Sequence, residues 1–252
     1  MTRDVSILQR FRPEHLHLEP FPYIIIEDAL PQDLYDQLAA EYPESSLGGH
    51  THGFRDFRYY QMDFTPEHVT PLWQEFVDFH SSRAYKDQVV RAIEPGLRRL
   101  YPEITDKYLE VDTILRHTGK PRGVAAMEVQ FVMNSADTEK IRTPHLDQGR
   151  ELFACLFYMK RPDDHSTGGD LYIYEKTTPD FEFRSGRLAP EEQIRPVASV
   201  PYRANNLIIF LNSVNSIHGV GLRTDAQVLR RYVNITCHIR EKLFLLDKIH
   251  EE

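Results

Sequence analysis

Two histidines and an aspartate carry the clearest chemical signal in this 252-residue chain. The run Thr143-Pro144-His145-Leu146-Asp147 sets an imidazole and a carboxylate two residues apart. On a strand, or on its extended end, alternate side chains share a face, so both groups project the same way. A third ligand must come from elsewhere in the chain. His218, in Asn215-Ser216-Ile217-His218-Gly219-Val220, follows the apolar run Leu207 to Leu211 by a short loop. Two imidazoles and one carboxylate on one face of a metal ion leave the opposite positions open, as at non-haem iron(II) sites that admit a cosubstrate and oxygen. The same donors suit zinc(II) with an open position, so these three residues alone also allow a zinc-dependent hydrolase.

The elements that must position these groups follow from patterning. Phe21 to Asp28 is a β-branched and aromatic run and reads as a strand. Pro31 suits a helix start, and Leu34, Leu38, Ala39 and Tyr42 recur at helical spacing before Pro43. The stretch from Glu44 to Phe54 is polar and glycine-containing and reads as a loop. From Pro66 to Tyr101 the pattern is helical again, with Leu72, Phe76 and Phe79 on one stripe, Val89, Val90, Ile93, Leu97 and Leu100 on another, and an interruption at Pro95-Gly96. Past about residue 110 the chain turns to short strand-like runs: Ala126 to Met133, Leu152 to Met159, Leu171 to Tyr174, Leu207 to Leu211 and Arg231 to Ile239. Helices first and strands later, without β-α-β alternation, predict a mainly β barrel or sandwich with bracing helices. One domain over 1–252 is expected, with mostly helical support over 1–110 and the β core over 111–245.

Composition narrows the function classes. A formal charge of -8 with no basic stripe argues against nucleic acid as the main partner. Only Cys155 and Cys237 are present and no basic-then-apolar leader opens the chain, so neither a disulfide framework nor a secretion signal is expected. No stretch reaches the roughly 18 apolar residues that span a bilayer. The expectation is a cytoplasmic protein acting on a small molecule, with no membrane partner.

With its neighbours, the metal motif resembles the iron(II)- and 2-oxoglutarate-dependent oxygenase superfamily, and most closely its prolyl-hydroxylase-like branch. The resemblance rests on five elements in order: His145-Leu146-Asp147, Phe157-Tyr158-Met159-Lys160, Gly168-Gly169, His218-Gly219-Val220 and Arg231-Tyr232, over residues 125–240. It implies a double-stranded β-helix (jelly-roll, cupin-like) core in which His145, Asp147 and His218 hold Fe(II). It also implies that 2-oxoglutarate and O2 are consumed and that succinate and CO2 are released as an unactivated C–H bond is hydroxylated. By position, Arg231 would pair with the far carboxylate of 2-oxoglutarate, Tyr158 would help to hold it, and Leu171 would pack on its chain. Lys160 stands where the family often has Asn. Related halogenases replace the metal-binding carboxylate by a small residue, so Asp147 favours hydroxylation.

Strand alternation assigns Arg231 to one face with Val233, Ile235, Cys237 and Ile239, taken as the barrel interior, and Arg230 to the other. Glu128 and Gln130 alternate with Met127, Val129, Phe131 and Met133. Either they point into the barrel toward substrate or cosubstrate, or the strand is an ordinary half-exposed one. His50 and His52 read as part of a polar covering loop, and Arg55, Arg58, Tyr59 and Tyr60 behind it read either as substrate-reaching groups or as solvated loop residues. Trp73, Phe76 and Phe79 read as core. The substrate is expected to be an amino acid, a peptide natural product or a sugar; a protein side chain is the alternative within the class. Against a zinc hydrolase, no further carboxylate stands out as a general base. Against a catalytically silent barrel, His145, Asp147, His218 and Arg231 are all retained.

Overall fold

The computed structural model describes residues 3–44, 50–51, 56–61, 64–65, 67–116, 125–134, 142–184 and 187–244. Its strands are β1 (Leu16–His17), β2 (Tyr23–Ile26), β3 (His50–Thr51), β4 (Asp56–Tyr60), β5 (Thr113–Leu115), β6 (Ala125–Asn134), β7 (Arg142–His145) and β8 (Glu151–Tyr158). They continue with β9 (Thr167–Gly168), β10 (Leu171–Lys176), β11 (Ile194–Val200), β12 (Leu207–Leu211), β13 (His218–Val220), β14 (Arg223–Thr224) and β15 (Arg230–His238). The helices are α1 (Gln32–Ala40), α2 (Pro71–His80), α3 (Arg83–Ala92), α4 (Glu94–Leu100) and α5 (Pro102–Glu110).

A nine-stranded sheet runs in the order β1-β2-β12-β8-β15-β6-β4-β3, with β5 pairing parallel to β6, and a four-stranded sheet runs β11-β10-β13-β7. The large sheet has two apolar faces because its strands alternate. One face carries Met127, Val129, Phe131 and Met133 of β6, Phe153, Cys155 and Phe157 of β8, and Val233, Ile235 and Cys237 of β15. It packs on Leu34, Leu38, Trp73, Phe76, Tyr85, Val89, Val90 and Leu97 of the helices. The opposite face contributes Val132, Ala154, Tyr158, Ile208, Phe210 and Tyr232, which meet Leu171, Ile173, Val200 and Val220 of the small sheet. Two facing antiparallel sheets of this order make the double-stranded β-helix. All ten residues of β6 are buried, the pattern of a strand covered on both sides. Burying each such aliphatic or aromatic side chain contributes about 1.5–3 kcal/mol, which fixes the sheet on its helical layer.

The helices begin where local chemistry starts them. The Thr70 and Ser82 hydroxyls accept hydrogen bonds from the backbone N–H groups of Trp73 and Tyr85 at the starts of α2 and α3. The predicted second helical stretch is cut at Ile93, upstream of Pro95, because proline removes an N–H and crowds the turn before it. The stretch expected to be helical support also supplies sheet: β2 pairs with β12, and β4 pairs with β6. The segment expected to be a loop contains β3 at His50–Thr51, and β4 follows directly after it. His52, Gly53, Phe54 and Arg55 lie outside the described residues.

Candidate metal centre

The candidate metal-binding groups stand on the small sheet or at its edge. Strands β7 and β13 pair antiparallel with His145 opposite His218, and the two rings are 4.5 Å apart. Gly219 permits the approach: a Cβ there would sit 3.0 Å from the Arg142 carbonyl oxygen and 3.1 Å from the Pro144 backbone. Asp147 lies just past β7, on an extended end that is pinned when the Leu146 N–H donates to the Arg187 carbonyl. One ligand atom from each of His145, Asp147 and His218 lies within 4.8 Å of the others. Each imidazole Nε2 is 3.6 Å from an Asp147 carboxylate oxygen. Metal bonds of about 2.1 Å at right angles place neighbouring donors roughly 3 Å apart, so a small contraction closes the triad on an ion.

The ring nitrogens are set for coordination. His145 Nδ1 donates to the Thr143 carbonyl at 2.9 Å and His218 Nδ1 donates to the Ser216 carbonyl at 2.9 Å. Each of these bonds leaves the Nε2 lone pair facing the triad, since the hydrogen bond on one nitrogen decides the tautomer. Burial is the main reason that the His218 pKa falls to about 4, so the ring is neutral near pH 7. Burial works to raise the Asp147 pKa, but the His218, His145 and Arg142 side chains together hold the carboxyl below the usual range. Two neutral imidazoles and an ionised carboxylate are the donor set a divalent ion needs. Arg142 Nε donates to His145 Nε2 at 3.0 Å, a bond that coordination would replace.

These ligands line a cavity of about 420 Å³ between the sheets. Leu171 lies in its wall. Glu128 and Gln130 also line it, which decides between their two sequence readings: Met127, Val129, Phe131 and Met133 pack on the helices, so the polar pair points inward. Arg58 and Tyr60 of β4 line the cavity too, whereas Tyr59 is buried in the helix-side core.

The side assigned to Arg231 is corrected. Its guanidinium leaves the cavity, pairing with Glu44 at 3.1 Å, donating to the Met159 carbonyl at 3.1 Å and lying 4.7 Å from the Tyr42 ring. Arg230 faces the cavity instead, followed along β15 by Tyr232, Asn234, Thr236 and His238. The reason is the helix layer: it covers the apolar residues Val233, Ile235 and Cys237, and so turns the polar set inward.

Arg230 is 1% exposed, and among the described residues no carboxylate pairs with it. It donates long hydrogen bonds of 3.3 Å to the Asn134 side-chain oxygen and to the Gly169 carbonyl. Gly169 follows Gly168 in a left-handed turn, with φ of +74° and +72°. The rings of Tyr158, Tyr202 and Tyr232 surround the guanidinium at 4.6 to 5.0 Å. Among the described residues, Arg230 Nε and the Tyr158 hydroxyl are buried with no hydrogen-bond partner. A buried cation left so poorly matched is costly unless an anion joins it.

Sequence reasoning missed Arg116, Glu151 and His238. Arg116 reaches the cavity from just past β5, and Glu151 and His238 lie opposite each other on β8 and β15. The signal for His238 was present, because applying to β15 the polar-inward rule that β6 obeys would have selected it together with Arg230.

No protein-family model and no curated protein matches the sequence. Solved structures do. A Pseudomonas putida prolyl-4-hydroxylase is 18% identical, with 87% of this chain and 93% of that chain covered and a TM-score of 0.45. HygX from Streptomyces hygroscopicus, solved with nickel and 2-oxoglutarate, is 12% identical, with 86% and 83% covered and a TM-score of 0.47. A Trichoplax adhaerens prolyl hydroxylase, in complex with a hypoxia inducible factor peptide fragment, is 10% identical, with 86% and 83% covered and a TM-score of 0.46. At this level of likeness the chemistry has to be argued from the site's own residues. Among the described residues no helix is long and apolar enough to cross a membrane.

Proposed function

We propose that this protein is an iron(II)- and 2-oxoglutarate-dependent oxygenase that hydroxylates a C–H bond of a small polar molecule. The observation that carries this reading is the pairing, in one cavity, of an open two-histidine, one-carboxylate triad with a buried arginine that has no carboxylate partner. A dicarboxylate bound at the metal end and pairing at its far end would satisfy both. Bound iron and 2-oxoglutarate supply the oxidising chemistry.

The chain's own residues do the rest. His145, Asp147 and His218 would hold the ion and leave coordination positions open to cosubstrate. The planar fork of Arg230 matches a carboxylate, and the Tyr158 hydroxyl, which has no hydrogen-bond partner among the described residues, would donate alongside it. Leu171 and Tyr232 line the cavity and exclude water beside the cosubstrate chain. Gln130, Glu128 and Arg58 lie on the walls available to substrate.

A zinc hydrolase keeps one supporting observation: Glu151 and Glu128 do put carboxylates into the metal cavity. The unpaired Arg230 has no role in that reading. The deciding experiment mixes anaerobic protein with Fe(II) and 2-oxoglutarate, then admits air. A visible charge-transfer band followed by succinate release is expected, and the His145→Ala, Asp147→Ala and His218→Ala variants should lose both while their melting stays cooperative. Hydrolysis supported by zinc, with no succinate from the iron-loaded protein, would overturn the oxygenase reading.

A further inference from the structure

The cavity-lining charges can be accounted for one by one. Arg58 donates to Gln130 at 3.0 Å, and Arg116 donates to Glu128 and to His238 at 2.9 Å each. Glu128 also accepts from Gln130. Arg187 donates to the Leu146 carbonyl at 3.1 Å, and Arg142 to His145 at 3.0 Å. Asp147 belongs to the metal and Arg230 to the cosubstrate. Glu151 remains. Its carboxylate lines the cavity, is 9% exposed, and makes no hydrogen bond among the described residues; the His238 imidazole is 4.0 Å away.

We infer that Glu151 receives a protonated amine of the substrate, so that the substrate class is a polar, amine-bearing small molecule such as an amino sugar or an amino acid with a side-chain amine. The inference rests on the oxygenase reading and names the substrate group that reading leaves open. Position supports it. Glu151 opens β8 only four residues after Asp147, and it faces the end of β15 at His238, whereas Arg230 sits at the other end of that strand. Eight residues of strand at about 3.3 Å each separate the two ends, so a group bound at Glu151 does not compete with the cosubstrate carboxylate.

The surroundings leave that carboxylate without a hydrogen-bonded cation among the described residues. Burial pushes the Glu151 pKa well above its ordinary value, the neighbouring Asp147 and Glu128 charges add to the push, and the Arg116 and Arg58 charges offset it only in part. A neutral polar substrate would leave it so, while an ammonium within hydrogen-bond reach would favour the ionised form. Arg116 acts on Glu151 through its charge alone, since its hydrogen bonds go to Glu128 and His238. The hydroxyl-rich remainder of such a substrate suits the Gln130, Asn234 and Thr236 side chains, which line the same wall.

Calorimetry on protein loaded with Ni(II) and 2-oxoglutarate tests this without turnover. The probes are two matched pairs, glucosamine against glucose and lysine against norleucine. At least one amine should bind tenfold or more tighter than its neutral partner. Glu151→Gln should erase that preference and Glu151→Asp should restore part of it. Equal binding within both pairs, or a preference that survives Glu151→Gln, overturns the inference. Because the wild-type comparison stands alone, it does not depend on either variant folding. Failure of Ni(II) or 2-oxoglutarate to bind in the loading step would instead count against the oxygenase reading.

Discussion

Neighbouring arginines on one strand have opposite jobs, and the difference is measurable. Arg230 is buried against three tyrosines with its Nε unpaired, while Arg231 is tied to Glu44 and two carbonyls outside the cavity. Arg230→Lys keeps the charge and loses the fork, and should raise the 2-oxoglutarate requirement. Arg230→Ala should cost on the order of 2–5 kcal/mol of cosubstrate binding, as for other desolvated charge pairs. Arg231→Ala should leave the 2-oxoglutarate dependence near wild type and lower stability modestly, because it removes the bonds to the Met159 and Ala39 carbonyls and leaves Glu44 to Arg161 alone. Titration of succinate release against 2-oxoglutarate for the three variants checks this. A crippled Arg231→Ala beside a normal Arg230→Ala would show that the strand faces are the reverse of those described.

The paired strands β7 and β13 decide whether the triad closes. Two histidines 73 positions apart in sequence become register partners because Gly219 lets the backbones approach beyond what a side chain allows. Gly219→Ala puts a methyl against the Arg142 and Pro144 backbone, which must shift by a few tenths of an ångström. Overpacking of this kind costs about 1–3 kcal/mol. The expected outcome is weaker Ni(II) binding together with a modest drop in melting temperature, read by metal titration and thermal unfolding. Unchanged metal affinity would mean that the pair tolerates a wider spacing. The His-x-Asp and His-Gly motifs were legible at this scale, and so were most strands, since each rests on local alternation and turn residues. The β3 and β4 pairing was not legible, because strands so short are stabilised by the neighbouring sheet more than by their own pattern.

Across the whole molecule, the N-terminal segment is held to the helix layer partly through a buried neutral histidine. His80 Nδ1 donates to the Phe76 carbonyl at 2.7 Å, its Nε2 accepts from the Ile7 N–H at 3.3 Å, and its ring stacks on Phe76. Burial lowers its pKa to about 3, against 6.5 for the ordinary group. The unfolded chain therefore binds the proton more readily between those values. The stability that His80 contributes is present above pH 6.5 and is lost progressively as pH falls toward 3, amounting to about 2 kcal/mol by pH 5. Urea unfolding at pH 7 and pH 5 should give a smaller pH difference for His80→Gln than for wild type, by about that amount; identical differences would show that His80 does not carry it. Sequence alone determined the candidate metal ligands, the order of the main helices and longer strands, and the two-faced alternation of those strands, because these depend on residue type and short-range spacing. Only the tertiary structure decided which face was inside. Alternation divides β15 into two sets but is symmetric between them, and what broke the symmetry was the helical layer covering Val233, Ile235 and Cys237, which sent Arg230 and His238 into the cavity and left Arg231 outside it.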